Sequence, residues 1–261
     1  MASVYCSDQL DNYLPSRLKL KKNITFEYSK KRSVRFRSGL IVVCIVAVSG
    51  YSCKDKGNKN INQGEIHYSI EYLGNVGIMP KEVMPRNLIV SFKNNKILFD
   101  ISAPFGNSGI LNLSNPEKGI YDTYISLLTW RYFYSSTPGE PPPGFDAMKD
   151  MVVRKTSKNS VICGFNCKNA EVILPGNKDK IYQIWYTTEI NITNPNATNP
   201  YREINGVLMS FFFQMGTSEM HFTAETVYKK EIPDKVFERR EKYLRVSRDE
   251  ISRFMNKMIS L

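Results

Sequence analysis

From Gly64 onward, apolar and polar residues alternate with a period of two, and no other feature of this chain limits its fold as tightly. Ile66, Tyr68, Ile70 and Tyr72 fall on one side of an extended segment, with His67, Ser69 and Glu71 on the other. Far downstream, Met220, Phe222, Ala224, Thr226 and Tyr228 repeat the pattern against Glu219, His221, Thr223 and Glu225. Successive side chains of an extended backbone point to opposite sides, so such alternation predicts a strand with one buried face. Leu88, Val90 and Phe92, then Ile97, Phe99 and Ile101, flank Asn94-Asn95 and predict a hairpin. Further strands are expected over residues 151–155, 161–174, 180–190, 207–215 and 218–230, the last two joined at Gly216-Thr217.

Three segments predict helix. Asn115-Pro116-Glu117 has the form of a helix start, and Ile120, Tyr124, Leu127, Leu128 and Arg131 follow at helical spacing, so a helix is expected within 115–135. Asp234 is placed to cap a second, carrying Val236, Phe237, Arg240, Tyr243 and Leu244. Ser247 and Glu250 form a capping box before Ile251, Phe254, Met255, Met258 and Ile259, an apolar stripe one helix face wide. Residues 138–144 are proline-rich and predict a stiff loop, and 194–200 a polar one. The expected fold is mainly β (α+β). Eight to eleven antiparallel strands form a curved sheet or open half-barrel with helices on one face and an amphipathic helix at the C-terminus.

The charge separates the ends of the chain. The net charge is +11, and residues 1–52 hold nine basic groups against three acidic ones. The remaining positive charge is spread over a much longer stretch, without the basic and aromatic stacking that a nucleic-acid surface needs, so no nucleic-acid partner is expected. Lys30-Lys31-Arg32, Arg35 and Arg37 precede an uncharged run from Ser38 to Ser52 with an apolar centre at residues 40–48. This is the layout of a secretory signal peptide, and the run is shorter than the roughly 20 residues of a membrane-spanning helix. It ends at Ser52-Cys53, which resembles the lipobox of bacterial lipoproteins. That resemblance implies acylation of Cys53, with Gly50 and Tyr51 departing from the common pattern. The division expected is an extension and signal peptide over 1–52, a lipidated cysteine and polar tether over 53–63, and a single β-rich domain over 64–261.

Signs of catalysis are scarce. No nucleophile elbow, phosphate-binding loop, dinucleotide fingerprint or zinc-protease motif occurs. Two histidines exclude a His-rich metal site, and His67 and His221 both fall on polar strand faces. Cys163 and Cys167, four residues apart on an expected strand, would lie roughly 13 Å apart. That is too far for a disulfide, and together with Val161 and Phe165 they would line one apolar face as free cysteines. No enzyme activity, cofactor or metal is expected.

Three stretches resemble the GLPGLI-type lipoproteins of Bacteroidota: Gly164-Phe-Asn-Cys-Lys-Asn-Ala170, Ile184-Trp-Tyr-Thr-Thr-Glu-Ile190 and Ile204-Asn-Gly-Val-Leu-Met209. The glycine-proline-glycine turn of that family is absent from the third. The resemblance implies an architecture similar to the LolA/LolB carriers, a half-barrel with helices in its mouth. Strands 180–190 and 207–215 are apolar on both sides, so something besides solvent must cover one face. The expectation is a lipid-anchored, non-catalytic protein of the cell envelope, periplasmic or at the outer membrane. It would bind a hydrophobic ligand or a lipoprotein in a groove lined by Trp185, Tyr186, Phe211, Phe213 and Phe222. The alternative is a structural or assembly subunit of an envelope complex, with the terminal helix as its contact.

Overall fold

The computed structural model describes residues 61–73, 84–103 and 108–260, with the backbone alone at 258–260. The chain divides into two units, Met1–Cys53 and Lys54–Leu261, and every described residue lies in the second. The signal-peptide run and Cys53 lie outside the described residues.

Twelve strands form one sheet. They are β1 (Gln63–Leu73), β2 (Asn87–Lys93), β3 (Lys96–Ser102), β4 (Ser108–Asn115), β5 (Ile120–Leu127), β6 (Trp130–Ser135), β7 (Val152–Ile162), β8 (Phe165–Leu174), β9 (Asn177–Thr187), β10 (Val207–Met215), β11 (Ser218–Tyr228) and β12 (Leu244–Arg245). The order across the sheet is β12-β6-β5-β4-β3-β2-β1-β11-β10-β9-β8-β7, and the two ends do not pair. Neighbours run antiparallel except β12, which lies parallel to β6. The fold is therefore mainly β, an open sheet with a helix near its C-terminal end, α1 (Arg248–Ser260).

The period-two alternation of apolar and polar residues sets the two faces. Ile66 and Tyr68 of β1 point to one side, with Val90 and Phe92 of β2, Ile97 and Phe99 of β3 and Phe222 of β11, all buried in the main core. On the opposite side of β3–β6, Leu98, Leu113, Tyr124 and Phe133 stack across register and form a second core. The hairpin predicted at Asn94-Asn95 is present, with Lys93 opposite Lys96 and Asn94 at φ 53°. Gly216, at φ 56°, begins the turn between β10 and β11.

Three expectations are corrected. The helix expected within 115–135 is one 3-10 turn, Pro116–Lys118, followed by the hairpin of β5 and β6. Gly119 at φ 62° ends the turn, and the β-branched and aromatic residues after it favour an extended chain. The helix expected from Asp234 is also a single 3-10 turn, Asp234–Phe237. Its carboxylate caps nothing; it accepts hydrogen bonds from Lys93 (3.1 Å) and Lys96 (2.8 Å). Finally, Cys163 and Cys167 do not share a strand. Cys163 (φ 50°) and Gly164 (φ 80°) form the two-residue turn between β7 and β8. Cys167 is buried, Cys163 is half-buried, and both are free, while Val161 is 65% exposed on the other strand. The apolar face expected to join them does not exist.

The chain after β11 wraps the end of the sheet. Ile232 and Phe237 close the second core. β12 pairs with the outer edge of β6, and α1 then buries Ile251 and Met255 in the main core. The predicted capping box forms: Ser247 N–H donates to Glu250 Oε2 at 2.8 Å, and Glu250 N–H to Ser247 Oγ at 3.3 Å. Asp122, fully buried on β5, holds the wrap in place. Arg239 donates to both its oxygens (2.8 and 3.3 Å), Tyr124 Oη to Oδ2 at 2.8 Å and Ser135 Oγ to Oδ1 at 2.6 Å.

Removing Arg239 leaves a buried carboxylate with two hydroxyl donors but no countercharge, whereas removing the charge of Asp122 leaves a half-exposed guanidinium that can turn to water. Arg239→Ala is expected to lower stability by about 3 kcal/mol. Asp122→Asn should cost clearly less, as measured by urea unfolding at neutral pH.

Candidate functional site

The five aromatic residues picked out from the sequence divide in two. Tyr186, Phe211, Phe213 and Phe222 are all buried in the main core. Phe211 stacks on Phe222 with ring centroids 4.9 Å apart, and Phe213 meets both edge-on at 5.1 Å. Trp185 is only half-buried, on the partly covered side of β9. The loop 194–200, polar in sequence, folds inward to brace this cluster. Asn196 Nδ2 donates to the carbonyls of Ile204 (2.7 Å) and Gly206 (3.0 Å), and Asn199 Oδ1 accepts the Tyr201 N–H at 2.8 Å. Tyr201, fully buried, then stacks on Phe213 at 6.2 Å. No feature of the local sequence marks these asparagines as buried.

Outside the core, a cleft of about 600 Å³ opens between residues 140–151 and Pro200–Arg202-Glu203. Phe145 and Met148 form its floor, both buried, and the Phe145 ring meets Phe213 edge-on at 4.8 Å. Pro141, Pro142, Met151, Val153 and Pro200 add apolar wall. Two arginines stand over it, from distant parts of the chain. Arg248, at the start of α1, donates to Glu140 Oε1 (2.8 Å) and the Pro141 carbonyl (2.7 Å). Arg202 donates to the Gly139 carbonyl, and its Nε is buried without a partner. Burial lowers the Arg202 pKa, with Arg248 adding to the effect and Glu140 opposing it. Glu140 itself is pushed up by burial but pulled further down by hydrogen bonds from Tyr134, the Thr137 N–H and Arg248, so it stays ionised. Lys149, Asp146, Asp150 and Glu203 complete the rim.

A second polar group lies across β9 and β11. Glu219 Oε1 accepts from Lys180 (3.0 Å) and His221 Nε2 (2.6 Å), and Oε2 from Lys180 (2.8 Å) and Tyr182 Oη (2.9 Å). Burial raises the Glu219 pKa, but these donors outweigh it and leave the carboxyl below its usual range. An ionised carboxylate only accepts, so Nε2 of His221 carries the proton. All four acceptor positions of Glu219 are filled, which leaves it none for a substrate proton. His67 has a similar partner in Glu65 at 3.1 Å. Among the described residues no three His, Cys, Asp or Glu side chains converge as a metal site.

No protein-family profile and no curated protein sequence matches the chain. Among solved structures, it is similar to PNGF-II at 13% identity and a TM-score of 0.46, over 76% of this chain and 33% of that one. The chain thus spans about a third of that protein's length. It also bears a weak likeness to a LolA-superfamily protein from Nitrosomonas europaea, at 8% identity and a TM-score of 0.19, over 68% of this chain and 90% of that one. Neither likeness is close enough to bring a function with it, and no family match supports the GLPGLI-type resemblance.

The Glu219 network has a definite pH signature. A carboxyl whose folded pKa is depressed stabilises the fold above its ordinary value of 4.5, and that contribution is lost as the pH falls through the lower folded value. Glu219→Gln is expected to cost about 2 kcal/mol at neutral pH. The gap to the unmodified protein should narrow as unfolding is repeated at progressively lower pH below 4.5.

Proposed function

We propose that this chain is a non-catalytic binding protein of the cell envelope, held to a membrane through acylated Cys53. Its ligand is amphipathic, an apolar chain with an acidic end, and it is taken in the cleft over Phe145. The observation that carries this reading is the cleft's composition. Its floor is the outer layer of the aromatic core, and Arg202 and Arg248 stand together on its wall. Apolar contacts on Phe145, Met148 and the surrounding prolines supply affinity, at about 0.8 kcal/mol per methylene buried. The guanidinium of Arg202 supplies orientation, since it is desolvated and Glu140 is already committed to Arg248. In this reading Tyr186, Phe211, Phe213 and Phe222 act from beneath, as the packing that keeps the floor rigid, and Trp185 lies apart from the ligand.

The assembly-subunit alternative has less support. It relies on the apolar stripe of the terminal helix, and Ile251 and Met255 of that stripe are buried in the protein's own core. The filled acceptor positions of Glu219 weigh against a catalytic reading.

The test is native mass spectrometry of the full chain carrying Cys53→Ala, purified gently from its own envelope, together with displacement of a fluorescent fatty acid. A co-purified amphiphile and saturable fatty-acid binding are expected. Arg202→Ala should weaken binding about tenfold, the loss of one charge-assisted hydrogen bond. A protein that neither carries an amphiphile nor binds the probe, or one whose binding is unchanged in Arg202→Ala, would sink the proposal.

A further inference from the structure

The hairpin of β5 and β6 ends in a two-residue turn, Leu128-Thr129, with Leu127 opposite Trp130. Leu128 has φ 55°. In a two-residue hairpin turn with positive φ at its first position, glycine, asparagine and aspartate are favoured there, and a leucine side chain is strained. Here it holds leucine, and the leucine is 72% exposed. The strain therefore serves no packing inside the protein. Strain held without an internal gain points to a function at the site.

The surroundings of Leu128 say what that function is. Trp130 is 52% exposed and meets Phe254 of α1 edge-on at 5.7 Å; Tyr132 meets the same ring at 5.2 Å. Leu244 on β12 is 64% exposed. Between β6, β12 and the helix lies a groove of about 420 Å³, bordered by Tyr132, Leu244 and Phe254 and by the cations Arg253 and Lys257. Glu250 also borders the groove; it is ionised, held by hydrogen bonds from Ser247 and near Arg253, so the two cations outnumber it by one. A protruding leucine, an exposed tryptophan and a half-buried phenylalanine, flanked by Arg and Lys on an amphipathic helix, form the composition of an interfacial membrane contact. The exposed apolar groups would enter the headgroup boundary while the cations meet anionic lipid.

We infer that the β5–β6 tip and the adjoining face of α1 dock on an anionic lipid surface. The contact is made by the protein's own side chains, separately from any acyl chain on Cys53. The inference shares with the proposed function only the presence of a membrane. It does not depend on the ligand cleft or on acylation.

The sequence contains two tryptophans, so Trp185→Phe leaves Trp130 as the sole reporter. The experiment uses residues 53–261, the chain expected after signal-peptide cleavage, carrying Cys53→Ala and Trp185→Phe, so that the basic and apolar residues 1–52 contribute nothing; it is mixed with vesicles of phosphatidylglycerol and phosphatidylcholine or of phosphatidylcholine alone. Trp130 emission should shift to the blue on the anionic vesicles, be quenched by brominated acyl chains, and respond much less on the neutral ones or in high salt. Arg253→Glu with Lys257→Glu should remove the preference for anionic lipid. Leu128→Gly separates docking from folding: it relieves the strained turn, so the thermal unfolding midpoint should rise while vesicle affinity falls severalfold. An unchanged emission with anionic vesicles would overturn the inference. So would undiminished binding by Leu128→Gly, or a blue shift that follows protein concentration without vesicles, the mark of a second copy on this face. Because Cys53 and the cleft play no part in this assay, its failure leaves the ligand proposal standing, and failure of fatty-acid binding leaves this one standing.

Discussion

An unclosed sheet of twelve strands has two faces and two edges to protect, and among the described residues one α-helix is present to help. The covering is therefore done largely by irregular chain, which lacks the internal hydrogen bonds of a helix. Its backbone groups need partners wherever they are buried. This explains why the outer face of β4 and β5 holds polar residues in a buried layer. Asn115 donates to the Phe237 carbonyl at 3.0 Å, and the Tyr124 hydroxyl accepts the Arg240 N–H at 3.1 Å while donating to Asp122. At the exposed margin of the same segment Lys93 and Lys96 meet Asp234, and Lys118 meets Glu238 at 2.9 Å. Asn115, Asp122 and Tyr124 sit where apolar side chains would bury more surface. They are retained because the segment over them is not helical.

The two edges are protected by different means. At one end β12 pairs with β6 and the chain then turns over it into α1. At the other end β7 is left exposed along most of its length. Its ladder to β8 is interrupted. Lys155 pairs with Ala170 and Asn159 with Lys168, so three residues of β7 oppose the single Asn169. Such a bulge, with Arg154, Lys155 and Lys158 on the strand, discourages another chain from extending the sheet. The exposed Val152 and Val161 lie towards its two ends, where the ladder is regular.

The sequence was informative where one period decided the structure. β1, β2, β3 and β11 follow from alternation, and the capping box of α1 from four residues. The segment after Asn115 misled because Ile120 and Tyr124 are four apart, a spacing that suits a helix face and a strand face equally. Gly119 in a left-handed conformation and the density of aromatic residues decided between them. Asp234 misled for another reason: a carboxylate beside a helix start is a cap only when no stronger partner is near, and two lysines on β2 and β3 are nearer. The aromatic residues of β9, β10 and β11 were legible as a cluster, but composition does not distinguish a packed interior from the wall of a groove. The cleft was not legible at all. Glu140, Arg202 and Arg248 are separated by 62 and 46 positions in the chain, and only the fold brings them together.

Helix α1 ties the two proposed surfaces to each other. Arg248, its first residue, is bonded to Glu140 on the wall of the cleft. Phe254, six residues on and about 9 Å further along the axis, supports Trp130 and Tyr132 at the tip. Between them Ile251 and Met255 fix the helix to the core, and Met255 lies so close to Gly144 that a Cβ at that glycine would meet its Sδ at 2.8 Å. A helix is stiff over two turns. A displacement that moved Phe254 towards a membrane would therefore carry Arg248 with it and strain its bonds to Glu140 and Pro141. If an amphiphile binds the cleft as proposed, any free energy it adds to those bonds would act, by the same rigid connection, on the position of the tip.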